Sequence, residues 1–142
     1  MSGLTDEWQL KTSENSIKYT IDIDKFDKKI KSFRNGREIH SKNFKLGRST
    51  FCIKIYPAGN SAEDKGFVSV YIFNRSEWRV KAKATISIED THYSKKIEDF
   101  YLQPIHTDSS GWGFDTFLSH DRCTRNEFLS NFNLQTYLQS RI

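Results

Sequence analysis

The residues best suited to nucleophilic chemistry are a thiol and an imidazole in one tetrapeptide. His120-Asp-Arg-Cys123 offers Cys123 as a nucleophile and His120 as its base. In an enzyme the nucleophile and the base meet in space and a third group orients the base, an arrangement that a loop tetrapeptide rarely provides. The sequence therefore predicts no catalytic residue and no enzymatic activity for this chain.

Metal and phosphate chemistry both lack the residue spacing that they need. The remaining histidines, His40, His92 and His106, are isolated, without a His-x-His or His-x-x-x-His pair for a metal ion. Gly47-Arg-Ser-Thr50 lacks the Gly-x-x-x-x-Gly-Lys frame of a phosphate-binding loop. We expect no metal ion and no cofactor.

Binding is a better-supported function, because one segment carries aromatic residues where a half-exposed strand would carry polar ones. The segment Phe67–Phe73 alternates, with its aliphatic residues on one face. The other face holds three aromatic residues and a serine: Phe67, Ser69, Tyr71 and Phe73. Since a strand with one wet face normally carries polar residues there, this strand is either covered on both faces or presents an aromatic surface to a ligand.

The preceding predicted strand adds two residues to that surface. By parity Lys54 and Tyr56 lie on one face of the segment Phe51–Tyr56. Together with Tyr71 they would form a strip with one cation and two hydroxyl groups. An extended peptide, which offers backbone groups and alternating side chains, fits such a strip.

The elements that position these residues are strands, because apolar residues recur with period two and not 3.6. The predicted strands are Ile17–Ile23, Phe51–Tyr56, Phe67–Phe73, Val80–Ile88, Lys95–Leu102 and Phe132–Gln139. Turn signals such as Asn35-Gly36 and Pro57-Ala-Gly-Asn60 separate them. This pattern predicts an all-β fold, an antiparallel β-sandwich of about eight strands. Two short helices are also predicted, at Asp27–Ser32 and Asp115–Ser119.

Length and composition favour one domain with protein partners. Of the 142 residues, 28% are charged, the net charge is +4, and basic residues are interleaved with acids along the chain. Nucleic-acid binders more often concentrate their charge on one face, so we expect no nucleic acid as partner. No apolar run approaches membrane-spanning length, so we expect no membrane as partner either. The two cysteines, Cys52 and Cys123, match neither a disulfide framework nor a metal pair and favour a reducing, cytoplasmic location. Residues 1–16 are a polar lead-in, and 17–142 form the domain.

Five short motifs resemble, in order and spacing, those of the MATH (meprin and TRAF homology, or TRAF-C) domain, over roughly residues 17–140. They are Ile39-His-Ser41 with Phe44, Phe51-Cys-Ile-Lys-Ile-Tyr-Pro-Ala-Gly59, Val68-Ser-Val-Tyr71, Ser87-Ile88, and Gly111-Trp-Gly-Phe114 with Phe117. Two departures stand out. Ile21 replaces the usual tryptophan of the first strand, and Glu98-Asp99 lie near the serines of the TRAF adaptors.

The resemblance implies an eight-stranded sandwich that reads short linear motifs in a shallow groove across one sheet. Tyr71 matches the central aromatic residue of the groove. Lys54 and Tyr56 match the cation and aromatic residue of adaptors that bind acidic-tailed motifs. The Trp-Gly-Phe element matches Trp112, Gly113 and Phe114, preceded by Gly111 where several relatives have an aspartate. Ala84 falls where speckle-type relatives carry an aromatic residue, so one wall of the pocket is missing.

The same resemblance implies a role in a signalling or ubiquitin-pathway adaptor, with motifs of receptor, adaptor or substrate proteins as partners. Two alternatives remain open. The domain could serve oligomerisation or scaffolding without peptide binding, or it could recognise substrates for a ubiquitin ligase or deubiquitinase. Since the chain has no heptad repeat, we expect a monomer or a weak trimer.

Overall fold

Two antiparallel sheets account for most of the chain. A computed structural model describes residues 4–7, 16–89, 93–123 and 131–141. Within these ranges the strands are β1 Leu4–Glu7, β2 Ser16–Asp24, β3 Ile39–His40, β4 Phe44–Leu46, β5 Ser49–Tyr56, β6 Phe67–Asn74, β7 Val80–Ile88, β8 Ser94–Leu102, β9 Gly111–Ser119 and β10 Asn131–Arg141. The helices are α1 Phe26–Ser32, a 3₁₀ turn Ala62–Asp64 and α2 His120–Cys123.

Strand order places the two halves of the candidate site in one sheet. The first sheet has the order β1-β2-β10-β7-β8, and the second has the order β3-β5-β6-β9, with β4 paired to β5. Every pairing between the described strands is antiparallel. The prediction of an all-β antiparallel sandwich is therefore confirmed, and each of the six predicted strands is present.

Alternating aliphatic side chains form the core between the sheets. Along β7 the even-numbered residues are buried and the odd-numbered residues between them are partly exposed. The buried residues are Val80, Ala82, Ala84, Ile86 and Ile88. On β6 the three aliphatic residues of the predicted inner face are fully buried. Period-two burial of this kind arises because successive strand side chains project to opposite faces of the sheet.

One predicted helix is correct and the other is wrong. Helix α1 begins one residue before the predicted Asp27 and packs Phe26 against Phe132, with ring centroids 4.1 Å apart. The segment Asp115–Ser119, predicted to be helical, instead continues β9, and only the four residues of α2 after it are helical. Pairing decides the outcome, because Leu118 lies opposite Val68 of β6 and is buried with it.

A buried asparagine at the end of β6 joins the two sheets. Asn74 is 0% exposed, and its side-chain amide lies 2.7 Å from the carbonyl oxygen of Trp78 and 3.3 Å from that of Leu102 in β8. Its side-chain oxygen accepts a hydrogen bond from the backbone N–H of Ser76 at 2.9 Å.

In the described ranges, no helix is both long and apolar enough to cross a membrane.

Candidate functional site

The outer face of the second sheet carries a strip of polar and aromatic side chains. Lys54 and Tyr56 of β5 lie opposite Tyr71 and Ser69 of β6, and Phe73 continues the row. Residues directly opposite in an antiparallel pair project to the same face. We call these five residues the outer strip; the structure thus brings the predicted Lys54, Tyr56 and Tyr71 together.

Tyr71 lies at the centre of the outer strip. Its ring contacts that of Tyr56 edge-on at 5.7 Å and that of Phe73 at 6.3 Å. Its hydroxyl donates a hydrogen bond to the Asp115 carboxylate and accepts one from the Asn60 amide at 3.2 Å. Burial, and after it the hydrogen bond to Asp115, raises the pKa of the Tyr71 hydroxyl. The group therefore stays protonated and acts as a hydrogen-bond donor.

Lys54 is held between a ring and a carboxylate. Its Nζ lies 4.2 Å from the centroid of the Phe73 ring and 3.7 Å from Glu38 Oε2. The hydroxyl of Tyr56 donates to Glu38 Oε1 over 3.5 Å. Burial raises the pKa of that hydroxyl, and the negative charge of Glu38 raises it further.

A basic cleft of about 430 Å³ continues the outer strip towards β3. Its lining includes Lys54 and Glu38 together with Lys42, Arg75 and Cys52. Three cations against one carboxylate give the cleft a positive character. Cys52 has a free thiol, and burial raises the pKa of that thiol, so it is a poor nucleophile.

Strand β9 forms the outer edge of the second sheet next to this strip. Gly111 and Gly113 lie opposite Phe73 and Tyr71. The backbone N–H of Asn74 donates to the Ser110 carbonyl at 2.8 Å. Because hydrogen-bonded and non-bonded pairs alternate along an antiparallel ladder, Gly111 and Gly113 direct their backbone N–H and C=O groups away from β6. These groups lie at the edge, where a further strand can pair.

Gly113 is also required by packing. A Cβ atom there would overlap the backbone of Val70 and Tyr71, whereas one at Gly111 would meet the ring of Phe73. Backbone cannot move aside as a side-chain ring can. The glycine at 113 thus allows β9 to lie close against β6.

Trp112 and Phe114 lie on the opposite face of β9 from the outer strip. They pair with Ile72 and Val70, whose side chains point into the core. Trp112 is 51% exposed and stacks on Phe100 of β8, with centroids 6.3 Å apart and planes 21° apart. The two aromatic residues therefore lie where the edge strand β9 contacts the edge strand β8.

Ala84 lies apart from these groups. It is 4% exposed and pairs with Leu138 and Ile97 in the first sheet, so its side chain is part of the core. The structure does not bring Ala84 to the face that carries Tyr71.

Three polar residues of this site escaped sequence reasoning. Asp115 and Asn60 hydrogen-bond Tyr71, and Glu38 contacts Lys54 and Tyr56. The signal for Asp115 was present: extending the alternation of Gly111 and Gly113 by two residues places Asp115 on the outer face. Glu38 had no such signal, since its loop position becomes meaningful only once β3 pairs with β5.

His120, considered above as a catalytic base, contacts the protein backbone. Its ring Nε2 donates to the carbonyl oxygen of Pro57 at 2.7 Å, so this nitrogen is engaged by the backbone. The side chain of Cys123 and all of His92 lie outside the described residues. Among the described side chains, no three His, Cys, Asp or Glu residues cluster as metal ligands do.

Residues 18–134 match the sequence profile of the MATH domain. The chain belongs to the MATH domain family. MATH domains related to the TRAF proteins are protein-interaction modules. In this MATH domain the outer strip and the edge strand β9 lie side by side.

Two curated relatives of this MATH domain are TNF receptor-associated factor family proteins of Dictyostelium discoideum. One is 25% identical over 121 residues, covering 84% of this chain and 26% of the relative. The other is 31% identical over 87 residues, covering 60% of this chain and 21% of the relative. The chain thus spans about a quarter or less of the length of these relatives.

A solved structure shows the same fold. TRAF5 of Notothenia coriiceps superposes with a TM-score of 0.58 at 13% identity, covering 88% of this chain and 73% of that one. The similarity confirms the TRAF-like sandwich of this MATH domain.

Proposed function

We propose that this MATH domain binds a short linear peptide of a partner protein as an added strand along the edge of β9. The observation that supports this proposal is that the edge strand β9 lies next to one ligand-suited surface on each face of the sheet. The outer strip lies on one face, and Trp112 with Phe114 lies on the other. Successive side chains of an extended peptide alternate between faces, so one peptide paired to β9 would reach both surfaces.

The backbone of β9 supports this mode of binding. Gly111 and Gly113 turn their N–H and C=O groups outwards, and neither carries a side chain that would hold a second strand away. Main-chain hydrogen bonds to such an edge supply affinity, while pockets for alternate side chains supply specificity. The groove predicted across one sheet thus becomes, in this proposal, a groove along an edge.

The chemistry of the two faces differs. On the outer face the peptide would meet the Tyr71 hydroxyl and the polar groups Asn60 and Asp115 around it. On the inner face it would meet the rings of Trp112 and Phe100, which suit an apolar side chain. We therefore propose a motif in which a polar or small residue alternates with an apolar one.

The names of the relatives support a proposal for the biological setting. The relatives carry the name TNF receptor-associated factor, so we propose that the parent of this domain is a cytoplasmic adaptor in signalling or the ubiquitin pathway. We also propose residues 17–142 as the binding domain, monomeric or weakly trimeric, with 1–16 as a polar lead-in of which Leu4–Glu7 pairs with β2.

A peptide library displayed on phage tests the proposal. Wild-type protein should enrich peptides with dissociation constants of about 1–100 µM, the range of a groove with few strong contacts. Tyr71→Ala and Trp112→Ala should each weaken binding at least about tenfold, because each removes a ring from a different face. The matched control is Tyr137→Ala, which removes an exposed ring from the first sheet.

The variants must remain folded for the test to count, so thermal unfolding is measured alongside. If Tyr71→Ala and Trp112→Ala bind the selected peptides as wild type does, the ligand does not lie along β9. If only Tyr71→Ala loses binding, the peptide lies across the outer strip and not along the edge.

A further inference from the structure

The carboxylate of Glu38 occupies the position where two groups of the outer strip would meet a ligand. Glu38 immediately precedes β3, whose residue Ile39 pairs with Ile55 of β5. This pairing anchors the backbone beside the strip. Oε1 of Glu38 lies 3.5 Å from the Tyr56 hydroxyl and Oε2 lies 3.7 Å from Lys54 Nζ. One side chain therefore contacts both groups.

The arrangement runs against what the residue types imply. A cation and a tyrosine hydroxyl two positions apart on one strand face are suited to an acidic ligand residue. In this protein, however, an acid of the chain itself already contacts both. The Lys54 ammonium also lies over the Phe73 ring, 4.2 Å from its centroid. A ligand carboxylate would have to displace Glu38 or lie within a few ångströms of it.

Solvent screens the repulsion between Glu38 and a ligand carboxylate only in part at this place. The side chains of Lys54 and Glu38 are only 23% and 33% exposed. Like charges at short range in a partly buried site repel more strongly than in water, and such pairs are a common means of rejecting wrong partners. Glu38 thus opposes an acidic residue where the neighbouring residues would attract one.

We propose that Glu38 is a specificity-determining residue, and that the ligand residue facing Lys54 and Tyr56 is a neutral hydrogen-bonding one. An amide or hydroxyl side chain can accept from the Lys54 ammonium and donate to the Glu38 carboxylate, so it satisfies both without a new charge. A cationic residue is opposed by Lys54 and by Lys42 and Arg75 of the adjoining cleft. The inference rests on the proposed peptide function.

The test uses peptides selected by the wild-type protein, resynthesised with Gln or Glu at each position in turn. At one position wild type should bind the Gln peptide about tenfold more tightly than the Glu peptide, the scale of one like-charge contact. In Glu38→Gln that ratio should fall at least about fivefold, at that position alone. Glu38→Ala, which can make neither contact, should give the same loss.

The matched control is Glu98→Gln, which makes the same charge change on exposed β8 of the other sheet. It should leave every Gln-to-Glu ratio as in wild type. If a general attraction of acidic peptides to the basic chain set these ratios, neutralising either glutamate would change them equally. Measurements at 50 mM and 300 mM salt separate contact from long-range charge effects.

Three results would overturn the inference. Equal Gln-to-Glu ratios in wild type and Glu38→Gln would show that Glu38 selects nothing. If the ratio changes at every position, or changes in Glu98→Gln as well, the effect comes from the net charge of the domain and not from contact with Glu38. If no peptide binds the wild-type protein more tightly than it binds Tyr71→Ala, both the inference and the proposed function are wrong. The first two results would leave the proposed function standing.

Discussion

At the scale of single residues, Tyr71 illustrates how much a side chain depends on its neighbours. Parity predicted its face correctly, yet the Asp115 and Asn60 contacts that orient the hydroxyl came from two distant segments. A tyrosine fixed at both its ring and its hydroxyl presents a rigid surface, so little conformational entropy is lost when a ligand binds to it.

The raised pKa of Tyr71 has a consequence for stability at high pH. Because the folded protein favours the protonated hydroxyl, the stabilisation is complete below the ordinary tyrosine pKa near 10.0 and is lost as the pH rises towards the folded value. In Tyr71→Phe the free energy of unfolding should fall less steeply above pH 10. Urea denaturation at pH 8, 10 and 11 measures it.

The control for that experiment is Tyr137→Phe, which removes a hydroxyl from an exposed ring of the first sheet. Tyr56, whose pKa is also raised, remains in every variant, so part of the fall in stability persists. Identical slopes for Tyr71→Phe and wild type would mean that the Tyr71 hydroxyl is solvated in the folded protein.

At the scale of elements, β9 decides the character of the site. Its second half, Asp115–Ser119, was expected to be helical, but pairing with β6 keeps the strand extended to Ser119. The extension brings Asp115 to the outer face. The start of the strand forms a sheet edge at which Gly111 and Gly113 turn their backbone groups outwards, and this is where we place the ligand.

Close packing of β9 on β6 makes Gly113 the more demanding of these glycines. Gly113→Ala should lower the free energy of unfolding by about 1–3 kcal/mol, since its Cβ overlaps backbone of β6 that cannot rotate away. Gly111→Ala is the matched control and should cost less than about 1 kcal/mol, because the Phe73 ring that it meets can turn.

Urea denaturation of both variants makes the comparison. Equal losses of stability would show that β9 lies farther from β6 than the register implies. Binding of selected peptides to Gly111→Ala reports separately on whether a side chain at the edge obstructs an added strand.

At the scale of the whole molecule, the two sheets are joined by polar as well as apolar contacts. The core consists of aliphatic and aromatic side chains from both sheets. Asn74 adds a directional link, because its amide approaches carbonyl groups of Trp78, Leu102 and Gln103. Apolar burial is non-directional, so such buried polar contacts help to set how one sheet lies on the other.

Asn74→Ala should therefore destabilise the whole domain. Removal of the amide leaves buried carbonyl groups and the Ser76 N–H without their partner, at a cost of about 2–4 kcal/mol. Asn60→Ala, which removes an exposed amide, should cost less than about 1 kcal/mol. Thermal unfolding followed by circular dichroism compares them; similar midpoints for the two variants would contradict the linking role of Asn74.

The strands and the fold class could be predicted from the sequence because period-two alternation is a local property of each segment. Val80–Ile88 has the same bounds in prediction and structure, and the other five differ by a few residues. Ordered motifs likewise indicated the family. Alternation and ordered motifs can both be recognised without knowing which strands are neighbours.

Only the tertiary structure decided how the candidate residues group. Alternation assigns residues to two faces of one strand, but the face that each shares with another strand depends on pairing and register, which no local pattern encodes. For this reason Lys54, Tyr56 and Tyr71 converge, Trp112 and Phe114 lie on the opposite face of β9, and Ala84 is in the core. Glu38 reaches Lys54 only because β3 pairs with β5, a contact between segments whose sequences do not reveal it.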